Sequence, residues 1–271
     1  MVGASTEDLL DPRRGGVAER LASRLGPRNP NVAAVVVVAT GYVVVTLALL
    51  LMGLLLTKVL VDNGVGSFDG RITDWLVERR TDGLNDVTRY ATYVANTEPV
   101  VAFAAVATLV LAVARRWREA IFLVGSLAVE LSVFLSVNFL VARPRPDVER
   151  LNATPGTGSY PSGHAAASFV LWVAIALIVA VITTNVVARF VAWLPAAILM
   201  WLVPFSRVYR GMHHTTDVIA GLALGAAALA VGCLAARSYA AAAARRRAVD
   251  ASEHDEATRA VVGGELGSVA R

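Results

Sequence analysis

Residues 32–61 read VAAVVVVATGYVVVTLALLLMGLLLTKVLV, and Lys58 is the only charged residue among them. A helix needs about 20 consecutive apolar residues to cross the hydrocarbon core of a bilayer. This stretch exceeds that length, so we predict a transmembrane helix that is long enough to tilt. It follows a polar segment of about thirty residues and is too long for the apolar region of a signal peptide. We therefore interpret it as a permanent span.

Five further apolar segments follow along the chain, and each is near the length of one span. They are residues 99–114, 119–141, 165–182, 186–205 and 215–236. Only 17% of the 271 residues are charged and 56% are hydrophobic, whereas about a quarter of the residues in a soluble domain are charged. The predicted fold class is an all-α integral membrane bundle of six transmembrane helices.

The segments around this bundle differ from it in composition. Residues 68–96 mix acids, arginines and aromatic residues at helical spacing, which favours an interfacial helical hairpin after the first span. Residues 1–31 form a predicted cytoplasmic N-terminal segment, and residues 32–237 form the membrane domain. The tail at 238–271 is polar without a periodic apolar face, so we predict a disordered cytoplasmic tail.

The orientation follows from the arginines in the short segments between spans. Arginines of the N-terminal segment, of residues 115–118 and of residues 237–247 fall on one side of a six-span bundle. The positive-inside rule makes that side cytoplasmic. We expect a multi-pass protein of the plasma membrane with both termini in the cytoplasm. Arginines also occur on the opposite side, so a second explanation is needed for those.

Three clusters of polar residues fall on this opposite, outer side. They are RPRP at 143–146, PSGH at 161–164 and SRVYRGMHHTTD at 206–217. Arg145 and Arg207 are able to donate forked hydrogen bonds to phosphate oxygens. Ser162 and Gly163 precede a predicted helix, where free amides and the helix dipole favour an anion. The alternative, arginines that only reach for lipid headgroups, does not account for the histidines in the same clusters. We predict a phosphate site.

The histidines of these clusters suggest nucleophilic catalysis. His213 and Asp217 lie four residues apart, hence on one face of a helix. A carboxylate that accepts the Nδ1–H bond fixes the tautomer and leaves Nε2 free to attack phosphorus. His164 is then the predicted general acid, which protonates the departing oxygen and later activates water.

A metal site is the alternative use of the same residues. His213, His214 and Asp217 resemble ligand spacing, and His164 would complete a set. Successive helical residues point about 100° apart, however, and the nearby arginines repel a cation. Cys233 is the only cysteine, which excludes a cysteine zinc site. We predict no metal and no cofactor. Glu130, a carboxyl in the middle of a span, is either a proton relay or a hydrogen-bonded packing group.

The three clusters resemble the signature motifs of the type 2 phosphatidic acid phosphatase superfamily. The second motif matches as PSGH at 161–164. The third matches as Ser206-Arg207, five residues, His213, three residues and Asp217. The first motif is a lysine, six residues and Arg-Pro; here Arg145-Pro146 matches, but Asn138 occupies the lysine position.

The resemblance implies that His213 forms a phosphohistidine, that Asp217 orients it, and that His164 is the acid and then the base. Arg145, Arg207, Ser162 and the Gly163 amide would bind the equatorial oxygens of the transition state, without a metal. At the lysine position of the first motif, Asn138 would donate one neutral hydrogen bond. Arg143 would supply the positive charge that the lysine carries in the family.

The implied function is dephosphorylation of a lipid phosphate or diphosphate at the outer membrane face. Polyprenyl diphosphate is the first substrate hypothesis, and phosphatidate or phosphatidylglycerophosphate is the alternative. A catalytically weak lipid-binding or transport protein is a hypothesis of another class, and vanadate-dependent halide oxidation fits larger soluble relatives better. The predicted partners are the membrane and the lipid phosphate, with no nucleic acid; no oligomeric state is predicted.

Overall fold

A computed structural model describes residues 9–25, 29–153 and 156–269, with side chains described up to residue 254. The regular structure in these ranges is helical throughout, as the predicted all-α class requires. The helices are α1 (Val17–Leu25), α2 (Pro30–Lys58), α3 (Gly66–Val77), α4 (Asp82–Val94), α5 (Thr97–Val113), α6 (Trp117–Val141), α7 (Gly163–Ile182), α8 (Val186–Tyr209) and α9 (Thr215–Val269).

The spans agree with the sequence prediction, with one refinement at the second. In the described ranges, α2, α6, α7, α8 and the first part of α9 are each long and apolar enough to cross a membrane. Helix α5 has 17 residues and passes the same test only together with α4, from which it is bent by 51°. The bundle therefore has six spans if this bent pair forms one of them.

The predicted hairpin at 68–96 is present as α3 and α4, and it packs against α8. Leu76 of α3 shares a buried cluster with Val208 and Tyr209 at the end of α8. Thr92 of α4 and Ser206 of α8 are joined by a buried hydrogen bond of 3.0 Å between their hydroxyls. These contacts mean that the hairpin is part of the packed bundle, in addition to any contact with the membrane surface.

The described chain divides into two compact units. One unit is Ala39–Gly232, which contains all three motif clusters. The other combines the chain before Ala39 with the chain after Gly232, and its core includes Ala22, Ala33, Ala241 and Ala242.

The tail is helical where the sequence predicts disorder. Helix α9 continues through residue 238 to Val269. The prediction rested on the absence of an apolar face, but residues 240–248 are all Ala or Arg, which have high intrinsic helix propensity. Ala241 and Ala242 are also buried in the second unit, so small side chains supply the packing there.

Four helix ends bring the motif clusters together in the first unit. Helix α6 ends at Val141, and Ala142 follows in the left-handed region with φ 45°. Helix α7 begins at Gly163, directly after the second cluster. Between α8 and α9, Gly211 has φ +69°, which a residue with a side chain rarely adopts. The turn at Gly211 directs the chain from Arg207 back towards His213.

Glycines allow α9 to approach α7 closely at the same end. A methyl group built on Gly221 would collide with the carbonyl oxygen of Ser162. A methyl group on Gly225 would lie 3.0 Å from the carbonyl oxygen of Ala166. The close helix packing that this small-residue pair is typical of therefore sets the distance between the second and third clusters.

Candidate active site

A cavity of about 320 Å³ lies where the three clusters meet. Its polar wall contains two arginines and two histidines of the predicted site: Arg145, Arg207, His164 and His213. Its remaining wall consists largely of apolar residues of α5, α6 and α7. The cavity thus offers one cationic end and one hydrocarbon-lined part, which is the polarity that a lipid phosphate would need.

His213 is buried, and its ring is held by a backbone carbonyl that sequence reasoning did not identify. Its Nδ1 lies 2.7 Å from the carbonyl oxygen of Ser159. The carboxylate Oδ2 of Asp217 is 3.9 Å from the same nitrogen, which is beyond hydrogen-bond distance. Donation of Nδ1–H to Ser159 leaves the Nε2 lone pair free. The predicted tautomer is retained, but the hydrogen-bond partner differs from the prediction.

Asp217 acts on the backbone that carries His213. Its Oδ2 accepts a hydrogen bond of 2.9 Å from the amide of His214, and its Oδ1 accepts one of 2.6 Å from the guanidinium of Arg143. The Asp217 carboxylate therefore fixes the segment 213–214 and places a negative charge near the His213 ring.

Asp69 is a residue of this network that the sequence analysis missed. It lies on α3 with no exposed surface, and it accepts a hydrogen bond of 3.0 Å from Arg143. It also accepts hydrogen bonds from the amide and the hydroxyl of Thr216, at 3.0 and 2.6 Å. A carboxyl in a polar hairpin gave no spacing signal, because its partners are 74 and 147 residues away along the chain.

Arg143 is paired with two carboxylates, whereas Arg207 has no counter-charge among the described residues. The side chain of Arg207 is only 3% exposed and lines the cavity, yet in the described ranges the guanidinium has no hydrogen bond or ion pair. The hydroxyl of Ser162, also buried, lacks a partner there as well. Buried polar groups are normally satisfied, and an arginine without a counter-charge is costly. Arg207 lines the cavity, and Ser162 lies between the lining residues Pro161 and Gly163, so the unpaired guanidinium and the adjacent hydroxyl favour a site for an anion.

Arg145 is oriented by carbonyls that leave its charge uncompensated. It donates hydrogen bonds to the carbonyl oxygens of Met212 at 2.6 Å and Gly158 at 3.2 Å. Its Nε is buried without a partner. Burial lowers the pKa of Arg145, the Asp217 carboxylate opposes that shift, and Arg150 adds to it. The side chain is thus held at the cavity wall with a donor left over.

His164 has a partner from the bent span. Its Nε2 lies 3.0 Å from Oδ1 of Asn96, which is the extended residue between α4 and α5 with φ −66° and ψ 159°. With Nε2–H donated to Asn96, the Nδ1 position of His164 is left for a leaving group. Asn96 was not predicted, since its only sequence signal is its place just before a helix.

The two residues predicted to replace the motif lysine have other partners. Asn138 donates both of its amide hydrogens, to the carbonyl oxygens of Gly158 and Tyr160, each at 3.0 Å. Arg143 is committed to Asp69 and Asp217. Neither residue belongs to the lining of the cavity. The predicted phosphate contacts of Asn138 and Arg143 do not fit this geometry, because the donors of both side chains are already used within the protein.

The electrostatic surroundings favour a neutral His213. Burial lowers its pKa well below the ordinary value of 6.5, and the charges of Arg207 and Arg145 lower it further. The hydrogen bond to Ser159 opposes this shift. A neutral imidazole is the form that attacks phosphorus.

His214 and His213 are directed at different groups. Nε2 of His214 lies 3.2 Å from the carbonyl oxygen of Pro144, whereas Nδ1 of His213 is directed at Ser159. Within the described ranges, no group of three or more His, Cys, Asp or Glu side chains has the arrangement of a metal site.

The fold and the cavity define a helical membrane protein with an internal cavity whose wall contains two arginines and two histidines. The sequence profile of the PAP2 superfamily matches residues 120–240, which include all three motif clusters. This match agrees with the family that the motifs resemble. No curated protein sequence matches the chain.

Two solved structures resemble the protein. One is the first transmembrane PAP2 type phosphatidylglycerolphosphate phosphatase from Bacillus subtilis, with a TM-score of 0.60 and 23% identity over 69% of this chain and 93% of that chain. The other is LpxE of Aquifex aeolicus, with a TM-score of 0.46 and 18% identity over 60% of this chain and 92% of that chain. The first of these likenesses confirms the predicted membrane fold.

Proposed function

We propose that this protein removes phosphate from a lipid phosphate or diphosphate through a phosphohistidine on His213. The coarse part of this assignment, a hydrolase of phosphoric esters that acts on membrane lipids, follows from the superfamily match over residues 120–240. The observation that carries the finer part is Arg207, whose buried guanidinium faces a cavity shared with His164 and His213 and has no partner in the described chain.

The phosphoryl group would bind at the cationic end of the cavity. Arg207 and the remaining donor of Arg145 would contact its oxygens, and the Ser162 hydroxyl and the Gly163 amide would add two donors at the start of α7. Charge-assisted hydrogen bonds of this kind strengthen as charge spreads over the equatorial oxygens in the transition state. The free donors would therefore contribute to rate and to binding.

In the first step, Nε2 of His213 would form a bond to phosphorus while the bond from phosphorus to the lipid oxygen breaks. That oxygen would take a proton from the protonated His164. The His213 ring becomes positively charged as the bond forms, and the Asp217 carboxylate at 3.9 Å would stabilise this charge.

In the second step, His164 would take a proton from water, and the water oxygen would attack phosphorus. The bond from phosphorus to Nε2 then breaks, inorganic phosphate leaves, and His213 returns to its neutral form. Arginines supply the positive charge in this scheme, so we propose that it runs without a metal.

Polyprenyl diphosphate, the first substrate hypothesis from the sequence, is compatible with the proposed site at the outer face of the plasma membrane, with both termini in the cytoplasm, which the arginine distribution favours. Phosphatidate or phosphatidylglycerophosphate is the second candidate. The wall of the cavity favours this second candidate, because the buried carboxyl of Glu130 lies among its apolar residues.

Phosphate release by the purified protein tests the proposal. Lipid monophosphates and diphosphates would be supplied at equal surface concentration in detergent with EDTA. We expect release from at least one of them, and a loss of about 10³-fold or more in His213→Ala, because the nucleophile is removed. His254→Ala, at an exposed position of α9, is the matched control and should retain full activity. A protein inert towards the whole panel would instead support the lipid-binding alternative.

A further inference from the structure

Glu130 is a carboxyl within the apolar part of the cavity. It lies on α6, is 3% exposed and belongs to the same cavity lining as His164 and Arg207. In the described chain its carboxyl has no hydrogen bond or ion pair. A polar group of this kind inside a membrane protein is expensive unless something binds it.

The surroundings of Glu130 are hydrocarbon. Leu127 and Phe134 line the cavity from α6, three and four residues from Glu130 and hence on its face of the helix, and the adjacent Leu131 lines it as well. Val101 and Ala104 line the cavity from α5. A lipid tail fits these walls, and the carboxyl is the one acidic group that they contain among the described residues.

The position of Glu130 along α6 fixes which part of a lipid it would meet. It precedes Asn138 by eight residues, or about 12 Å along a helix axis, and Asn138 holds Gly158 at the cationic end of the cavity. A phosphate bound by Arg207 would therefore leave the next part of the lipid, within about 12 Å of it, beside this carboxyl.

We propose that Glu130 is a specificity-determining residue that hydrogen-bonds the glycerol or ester region of a glycerolipid phosphate bound in this cavity. The inference rests on the proposed lipid phosphatase function and narrows its substrate class. Glycerol hydroxyls and ester carbonyls lie near the phosphate in these lipids and supply both donors and acceptors for a carboxyl. A polyprenyl chain offers only hydrocarbon at the same distance, and the carboxyl would stay unsatisfied beside it.

The test compares two substrates in two variants of one residue. The substrates are a diacyl phosphatidate and a polyprenyl monophosphate, which share the phosphate and differ in the region that follows it. Glu130→Leu removes the polar group, whereas Glu130→Gln retains a donor and an acceptor. Ser132→Ala, on the exposed face of the same helix, is the control.

We expect Glu130→Leu to lower kcat/KM for phosphatidate about tenfold, the effect of one hydrogen bond, with no loss for the polyprenyl phosphate. Glu130→Gln should keep most of the preference for phosphatidate. The melting temperature of Glu130→Leu should not fall, since an unpaired buried carboxyl is removed.

Two outcomes would overturn the inference. An unchanged ratio of the two kcat/KM values in Glu130→Leu, or an equal loss on both substrates, would show that Glu130 does not distinguish the glycerol or ester region from a hydrocarbon chain. These outcomes leave the phosphatase function intact, because the wild-type protein still hydrolyses lipid phosphates. A wild-type protein that hydrolyses other lipids of the panel but not phosphatidate would overturn this inference alone, whereas inertness towards the whole panel would overturn the phosphatase function as well.

Discussion

Arg143 and Arg207 are buried to nearly the same extent, at 4% and 3% exposed, and their surroundings are opposite. Arg143 is held between two carboxylates, those of Asp69 and Asp217. Arg207 faces the cavity without a partner in the described chain. Burial alone therefore does not separate an arginine that holds the protein together from one that binds a ligand. The partners of the guanidinium separate them.

The same distinction explains the other arginines on this side of the bundle. Arg80 donates to the carbonyl oxygens of Glu149 and Tyr209, and Arg210 donates to Leu151 and Asn85. These side chains join α4, α8 and the loop before α7. They account for two of the arginines that the positive-inside rule leaves unexplained, since their role is to connect segments of the fold.

The largest effect should come from the unpaired arginine. We expect Arg207→Gln to lower kcat/KM about 10³-fold, or about 4 kcal/mol of transition-state stabilisation. The melting temperature should stay the same or rise, because the substitution removes an uncompensated buried charge. Steady-state kinetics and thermal melting in detergent measure the two quantities. A large loss of stability in Arg207→Gln would mean that this side chain has a structural partner after all.

The paired arginine should show the reverse pattern. Arg143→Gln leaves Asp69 and Asp217 buried without their counter-charge, so we expect the free energy of unfolding to fall by about 3 kcal/mol. Adding Asp69→Asn should recover part of this stability, since one orphaned carboxylate is neutralised. Thermal melting of the single and double variants measures the coupling. If Asp69→Asn made Arg143→Gln still less stable, the network would not act as the contacts indicate.

Asn138 extends the comparison between residues that hold the protein together and residues that bind the ligand, because it occupies the motif position of a phosphate-binding lysine. Its amide holds the carbonyls of Gly158 and Tyr160, on either side of the Ser159 carbonyl that orients His213. We expect Asn138→Ala to lower kcat about tenfold, about one hydrogen bond's worth, with little change in KM. A rise in KM at constant kcat would instead assign Asn138 to direct phosphate binding.

The smallest effect concerns pH. The pKa of His213 is lowered well below 6.5 by burial and by Arg207 and Arg145, and in the proposed mechanism only the neutral ring attacks phosphorus. Activity is therefore lost only when the pH falls below that lowered pKa, so the acid limb of kcat/KM should lie below pH 6.5. Two substrates with different phosphate pKa values separate enzyme from substrate ionisation. A limb near the ordinary histidine value for both substrates would contradict the shift.

The sequence predicted the features that depend on local pattern. Long apolar runs indicate spans whatever they pack against, and the motif spacing placed Arg145, His164, Arg207 and His213 at one cavity. The amphipathic pattern at 68–96 predicted two helices correctly. These signals are local or motif-based, which is why a single sequence displays them.

What the sequence did not predict depends on partners far apart along the chain. The carbonyl of Ser159, the carboxyl of Asp69 and the amide of Asn96 each act on residues that are 54 or more positions away. The predicted hydrogen bond between His213 and Asp217 had the correct spacing, yet a backbone carbonyl lies closer to Nδ1. Spacing restricts which residues are able to meet, and packing decides which of them do.

The most direct test of the central claim is the affinity of the purified protein for inorganic phosphate, measured by calorimetry in detergent for the wild-type protein and Arg207→Gln. If the unpaired arginine forms the anion site, the substitution should weaken binding by about 30-fold or more, the loss of one charge-assisted contact. An Arg207→Gln variant that binds phosphate as tightly as the wild-type protein would contradict the account.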